Sequence, residues 1–166
     1  WHMCFTTNHD ENSWNGTVFE RYGDKHLSYA VLAFTLQGMP LIYSGQEAGL
    51  DKALRFFEKD TIDWSDIKYE KFYSTLLQLK HDHPALFNGK YGGDAQKLDS
   101  SKDVIAYYRE KEGDTVMVAI NLGDAEGSWD PAGMLSGEMT EVFSGSKGNV
   151  AYEAILAPGE YQIWTK

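Results

Sequence analysis

Along the first half of the chain, short apolar runs alternate with stretches of helical period. Residues 1–5 (WHMCF) form an apolar run that breaks, without a turn residue, into Asn8, His9, Asp10, Glu11 and Asn12. Such a run predicts a buried strand that delivers polar side chains at its carboxyl end. Residues 25–36 carry Leu27, Ala30, Val31 and Phe34 at steps of three and four and stop at Gln37-Gly38, which predicts a helix. A second apolar run, 40–44 (PLIYS), ends in Gly45-Gln46-Glu47. The order is strand, helix, strand. Residues 13–24, with Asn15-Gly16 as a turn signal, and 48–63, mixed in charge, read as loops. Ser65-Asp66 then offers a cap. Behind it Tyr69, Phe72, Tyr73, Leu76, Leu77 and Lys80 share one face of an amphipathic helix ending near His83-Pro84.

From residue 89 onward the pattern changes to period two. Val116, Val118, Ile120 and Leu122 share one face of a strand, and Val104, Ala106 and Tyr108, then Tyr161 and Ile163, repeat the alternation. Gly92-Gly93, Glu112-Gly113-Asp114, Gly123-Asp124 and Pro158-Gly159 punctuate the runs. This predicts an antiparallel β-sandwich over 89–166 behind an α/β portion over 1–88. Two parallel βα units cannot cover both faces of their own strands, and a closed eight-stranded barrel takes roughly 250 residues, so the first portion is expected to be incomplete. With no Met at position 1 and no capped element ahead of the first strand, the chain is expected to begin inside a longer fold.

Composition narrows the function classes. At 166 residues, with 42% hydrophobic and 14% aromatic, the chain has ample material for a core. A formal charge of −10 with no basic run argues against nucleic acid as a partner. No apolar stretch approaches the roughly 20 residues of a membrane helix, so no membrane partner is expected. The single cysteine, Cys4, has no internal disulfide partner and reads as a small core residue. The compartment stays open.

The motifs then carry a resemblance. FTTNHDE at one strand end, GMPLIYSGQEAG at the next, then IDW, an amphipathic helix and a sandwich together resemble the C-terminal third of an α-amylase-type enzyme, glycoside hydrolase family 13. The resemblance implies an incomplete TIM barrel, with residues 4–7 as its seventh strand and 41–44 as its eighth, followed by the antiparallel β-sandwich. It implies an α-glucan or maltooligosaccharide as substrate. It makes Asp10 the third catalytic carboxylate, gripping ring hydroxyls as oxocarbenium-like charge develops, with His9 as a donor beside it. A retaining reaction also needs a nucleophile and a general acid/base roughly 5 Å apart. By the same resemblance both would lie upstream of Trp1, so the chain alone is expected to be inactive. No cofactor is implied for this chain. The calcium ions of many relatives would be held mostly by upstream residues, so no metal is expected here.

Each candidate also has a plain structural reading. His9 and Asp10 would otherwise be a strand-end cap or an ion pair; Asn8 either meets substrate or holds the turn. Glu47 either faces substrate or anchors neighbouring loops, and Trp14 either stacks on a sugar or packs its own loop. Arg21, Lys52 and Arg55 line outer subsites or solvate an acidic surface. His81-Asp82-His83 has the look of metal spacing, but positions i and i+2 of a helix point apart, so a cationic last turn is expected instead. Asn15-Gly16-Thr17 is a glycosylation tripeptide of a kind frequent by chance. Tyr107, Tyr108, Trp129, Tyr152, Tyr161 and Trp164 form a glycan platform or, as strand aromatics usually do, a core.

Two other readings compete: a non-catalytic carbohydrate-binding or packing β-sandwich module, and a phosphate-binding barrel. The second lacks a Gly-rich run backed by a basic residue after Ser44. The first strand, without a preceding neighbour, is expected to recruit the missing barrel portion or another copy of the chain.

Overall fold

A computed structural model describes residues 2–131, 137–148 and 153–166. Strand β1 (Met3–Cys4) pairs in parallel with β2 (Met39–Pro40), in the register Met3 with Met39 and Cys4 with Pro40. Between them lie α1 (His9–Trp14), α2 (Val18–Tyr22), a 3-10 turn and α3 (His26–Thr35). After a long irregular segment, α4 (Glu70–Asp82) runs into two further 3-10 turns. The predicted helices over 25–36 and up to His83 are both present.

Three expectations are corrected. Both parallel strands are shorter than the apolar runs that announced them: residues 5–7 and 41–44 lie beyond the strands, with the Leu41 N–H still donating to the Cys4 carbonyl at 2.9 Å. Among the described residues β1 and β2 pair only with each other, and the Thr6 carbonyl accepts from the Arg21 guanidinium and the Tyr22 hydroxyl instead. Second, 13–24 is mostly helical: Thr17 accepts from the Glu20 N–H while Glu20 accepts from the Thr17 N–H, a reciprocal cap that starts α2. Third, Ser65 and Asp66 do not cap α4. Its N-cap is Tyr69, with no side-chain bond, and the Tyr69 N–H is taken by the Glu47 carbonyl.

The rest is antiparallel. A six-stranded sheet has the order β3 (Gln96–Lys97), β5 (Val104–Lys111), β6 (Asp114–Asn121), β11 (Tyr161–Thr165), β8 (Met139–Glu141), β9 (Lys147–Gly148). A three-stranded sheet has the order β10 (Ala154–Leu156), β7 (Gly127–Asp130), β4 (Asp99–Ser100). The β5–β6 hairpin turns at Glu112 and Gly113, both at positive φ (56° and 88°), the twist that matches the flanking strands.

Strand β6 sits between two cores. Val116, Val118 and Ile120 pack with Val31 and Phe34 of α3 and with Phe72, Tyr73 and Leu76 of α4. Met117 and Ala119 face the other way, onto Trp129 and Leu156 of the small sheet. The helices and the large sheet therefore share one apolar core, and a second core closes the sandwich. Polar bonds reinforce the first junction: Ser28 Oγ donates to the Gly159 carbonyl at 2.6 Å, and Lys25 Nζ to the Leu122 carbonyl at 3.0 Å. Tyr107 and Trp129 are buried in these cores, and Tyr108, Tyr161 and Trp164 pack against them. Tyr152 lies outside the described residues. On α4, Leu79 rather than Leu77 joins the buried face. His83 does not stand beside His81 in a cluster; its Nδ1 meets Asp114 at 2.6 Å, while His81 stays exposed.

Candidate functional site

The polar cluster after β1 folds as one short helix in which most side chains have structural work. Asn8, extended at φ −150°, caps α1: its Oδ1 accepts from the Glu11 N–H at 2.8 Å. Glu11 pairs with Arg21 at 2.8 Å, so Arg21 braces the helix from α2. Asn12 is buried, its Nδ2 donating to the Lys52 carbonyl at 3.1 Å and its Oδ1 accepting from Leu54 N–H at 2.8 Å. Ser13 Oγ donates to the Leu54 carbonyl at 2.7 Å. These bonds sew α1 to a segment forty residues further along the chain.

His9 and Asp10 remain outside that network. Their side chains are 68% and 60% exposed and meet each other at 3.5 Å. Trp14 is also outward, 61% exposed. Sequence reasoning missed its neighbours: the Phe56 ring lies 5.4 Å from Trp14 and 6.0 Å from His9, and Phe57 follows at 4.9 Å from Phe56. Two phenylalanines in a loop of mixed charge gave no periodic signal.

The segment holding those rings is fixed by a carboxylate. Asp60 accepts from Lys52 Nζ and from the backbone N–H groups of Thr61 and Arg55, and these bonds, Lys52's first, hold its carboxyl down to about 2. Lys52 is thereby occupied within the loop, and Arg55 pairs with Glu58 at 2.7 Å. Thr17 Oγ1 donates to Asp51 at 2.7 Å, which ties the same segment to α2.

Behind the cluster, Gln46 links three elements. It is buried, and its Nε2 donates to Thr6 Oγ1 at 3.0 Å and to the Tyr73 hydroxyl at 2.7 Å, while its Oε1 accepts from Tyr43 N–H at 3.2 Å. Burial pushes the Tyr73 phenol up to about 12, so it stays a neutral partner. Glu47, next to it, is half-buried, and its Oε2 is buried with no hydrogen-bond partner among the described residues. Burial, and then the charge of Lys68, lower the pKa of His26, which sits between the rings of Phe19 and Tyr69. Gln46→Ala is expected to cost about 1–3 kcal/mol, because it strands Thr6, Tyr43 and Tyr73 polar groups in the interior. Thermal unfolding measures that loss.

Among the described residues no group of three His, Cys, Asp or Glu side chains is placed to hold a metal ion, and no helix is long and apolar enough to cross a membrane.

No family model matches the chain. Individual proteins do. It is 33% identical to the alpha-amylase MalA of Haloarcula japonica over 132 residues, 73% of this chain and 18% of that protein. It is 28% identical to alpha-amylase 2 of Dictyoglomus thermophilum over 158 residues, 87% of this chain and 26% of that protein. A cyclomaltodextrinase from a Bacillus species is 36% identical over 105 residues, 60% of this chain and 18% of the relative. In fold, the maltogenic alpha-amylase AmyB of Thermotoga neapolitana superposes with a TM-score of 0.76 at 18% identity, over 98% of this chain and 40% of that one. The chain spans about a quarter or less of the length of these curated relatives. By sequence and by fold, it is a relative of the alpha-amylase family of glycoside hydrolases, matching a part of those enzymes.

Proposed function

We propose that this chain is the C-terminal part of a retaining glycoside hydrolase acting on α-glucans or maltooligosaccharides, with His9 and Asp10 at its sugar site. In this reading β1 and β2 are the last two strands of a (β/α)8 barrel that residues 1–88 complete, and 89–166 form the sandwich domain behind it. Asp10 holds ring hydroxyls more tightly as oxocarbenium character develops, and His9 donates beside it. Asn8 orients the pair by capping the helix that carries them. Glu47 braces the loop after β2, its main-chain carbonyl accepting from the Tyr69 N–H at 2.9 Å. The nucleophile and the general acid/base come from the rest of the polypeptide, so the 166-residue chain alone does not turn over substrate. It meets either that missing portion or a second copy along the open edge of β1, where Met3 and Phe5 are exposed.

One observation carries the proposal. In the cluster 8–13, Asn8, Glu11, Asn12 and Ser13 are bonded within the protein, while His9 and Asp10 are exposed and meet each other, the His9 ring also lying beside Phe56. The bracing holds this acid and imidazole together on a fixed helix end, open to a ligand. The relatives' names, alpha-amylase and cyclomaltodextrinase, supply the substrate class. The full-length protein is expected to release reducing ends from soluble starch and from maltooligosaccharides. Absence of hydrolysis or transfer on any α-glucan would contradict the proposal. The sandwich as a free-standing carbohydrate module is the weaker reading, since its described aromatic rings other than the exposed Tyr91 are spent in or against the two cores.

A further inference from the structure

Among the described residues, the exposed aromatic rings beside His9 pack on one another and on the His9 ring. Trp14, Phe56 and Phe57 are 61%, 41% and 85% exposed, yet they lie ring to ring, with centroids 4.9 to 6.3 Å apart. Soluble proteins seldom leave contiguous large apolar side chains in water, and such patches mark sites of contact. Floppiness does not account for the exposure. The loop beneath the rings is held by Asp60 on Lys52, Arg55 and Thr61, and by Asn12 and Ser13 on Leu54. The rings are therefore presented before any ligand arrives, and the ordering cost of binding is already met in the fold.

We propose that Trp14, Phe56 and Phe57 form a stacking platform that carries the glucan chain away from His9 and Asp10 and sets the enzyme's preference for chain length. This rests on the functional reading above. A pyranose ring presents flat C–H faces with a polar rim, which suits an aromatic surface bordered by polar groups. The planes of the three rings are inclined to one another by 43°, 65° and 73°, giving a stepped surface rather than a flat one. An α-linked glucan curls, so successive sugars offer their faces at changing angles, as such a surface requires. The platform is continuous with the proposed site, since Phe56 touches both the Trp14 and His9 rings. The same loop borders an open cavity of about 470 Å³ lined by Asp51, Lys52, Thr61, Asp63 and Asp66, groups that bond sugar hydroxyls.

The test uses the full-length enzyme and two substrates, maltotriose and maltoheptaose, with Phe57→Ala, Phe57→Trp and Asp10→Asn variants. Phe57→Ala is expected to lower the ratio of kcat/KM for maltoheptaose over maltotriose by roughly tenfold, mainly through KM, and Phe57→Trp to restore it. Phe57 is 85% exposed, so its truncation leaves the melting temperature where it was. An unchanged ratio overturns the platform. So does a melting temperature several degrees lower, which would place the rings under another part of the polypeptide. If Asp10→Asn keeps normal activity, the functional reading itself falls and the platform with it. If Asp10→Asn is inactive and the Phe57→Ala ratio is unmoved, the platform alone is wrong.

Discussion

Arg109→Met is expected to destabilise the protein by about 3–5 kcal/mol, with a fall in melting temperature of several degrees. Arg109 lies on β5 and is 1% exposed, with no carboxylate among its hydrogen-bond partners in the described residues. Its guanidinium is satisfied by main-chain carbonyls: Gly93 at 2.8 Å, Thr35 at 3.0 Å, Leu36 at 3.2 Å and Phe87 at 2.9 Å. Thr35 and Leu36 end α3, where the helix dipole is negative and the last carbonyls have no partner within the helix. One side chain thus joins the sheet to the end of α3 and to the connection behind α4. Burial lowers the Arg109 pKa, yet an arginine keeps its charge under such pressure.

The backbone is shaped for this contact. A Cβ on Gly92 would stand 1.9 Å from the Phe87 carbonyl oxygen and 2.9 Å from Arg109 Nη2, and one on Gly93 would stand 2.1 Å from the Glu110 carbonyl oxygen. The Gly92-Gly93 step lets the chain pass close enough to be bonded. Met fills much of the volume of Arg but donates nothing, so its carbonyl partners lose their donors in the interior. Arg109→Lys is expected to fall between the two, because a single ammonium cannot reach carbonyls arrayed around a planar fork. Differential scanning calorimetry on the full-length protein reads all three forms. A melting temperature for Arg109→Met within a degree or so of the parent, far inside that expected fall, would contradict the role assigned to this residue.

The parts of the fold that were legible in the sequence are those whose order is set locally. Leu27, Ala30, Val31 and Phe34 marked α3, and Val116, Val118 and Ile120 marked β6, because period alone reports which face is buried. The alternation in β6 does not reveal that Met117 and Ala119 are buried as well, since a second sheet covers them. Helix α2 was legible in principle: Thr17 and Glu20 are spaced as a reciprocal cap. Helix α1 carried a local signal too, Asn8 three residues before Glu11, but its tie to residues 52–54 through Asn12 and Ser13, across forty positions of chain, was not legible. Arg109 and Gln46 were invisible for the same reason. A polar residue in a strand or a turn reads as solvent-facing until the carbonyls and hydroxyls it meets are in place.

In the candidate site, the residue types were readable and their division of labour was not. Asn8 to Asn12 read as one polar cluster, whereas the fold separates the capping and bracing groups from the exposed pair. Trp14 was a candidate from its position alone, and Phe56 and Phe57 joined it only when the loop was folded back.

The central claim is that Asp10 acts on the sugar's transition state. In the full-length enzyme Asp10→Asn is expected to lower kcat on soluble starch by several orders of magnitude, because a neutral amide cannot match a carboxylate against developing positive charge. The side chain is 60% exposed and among the described residues it meets His9, so the change is expected to leave the fold intact, with circular dichroism and melting temperature matching the parent. Measuring kcat for Asp10→Asn beside the unmutated enzyme is the most direct test. A collapse of kcat in a normally folded protein is the predicted result, and near-normal turnover would contradict it.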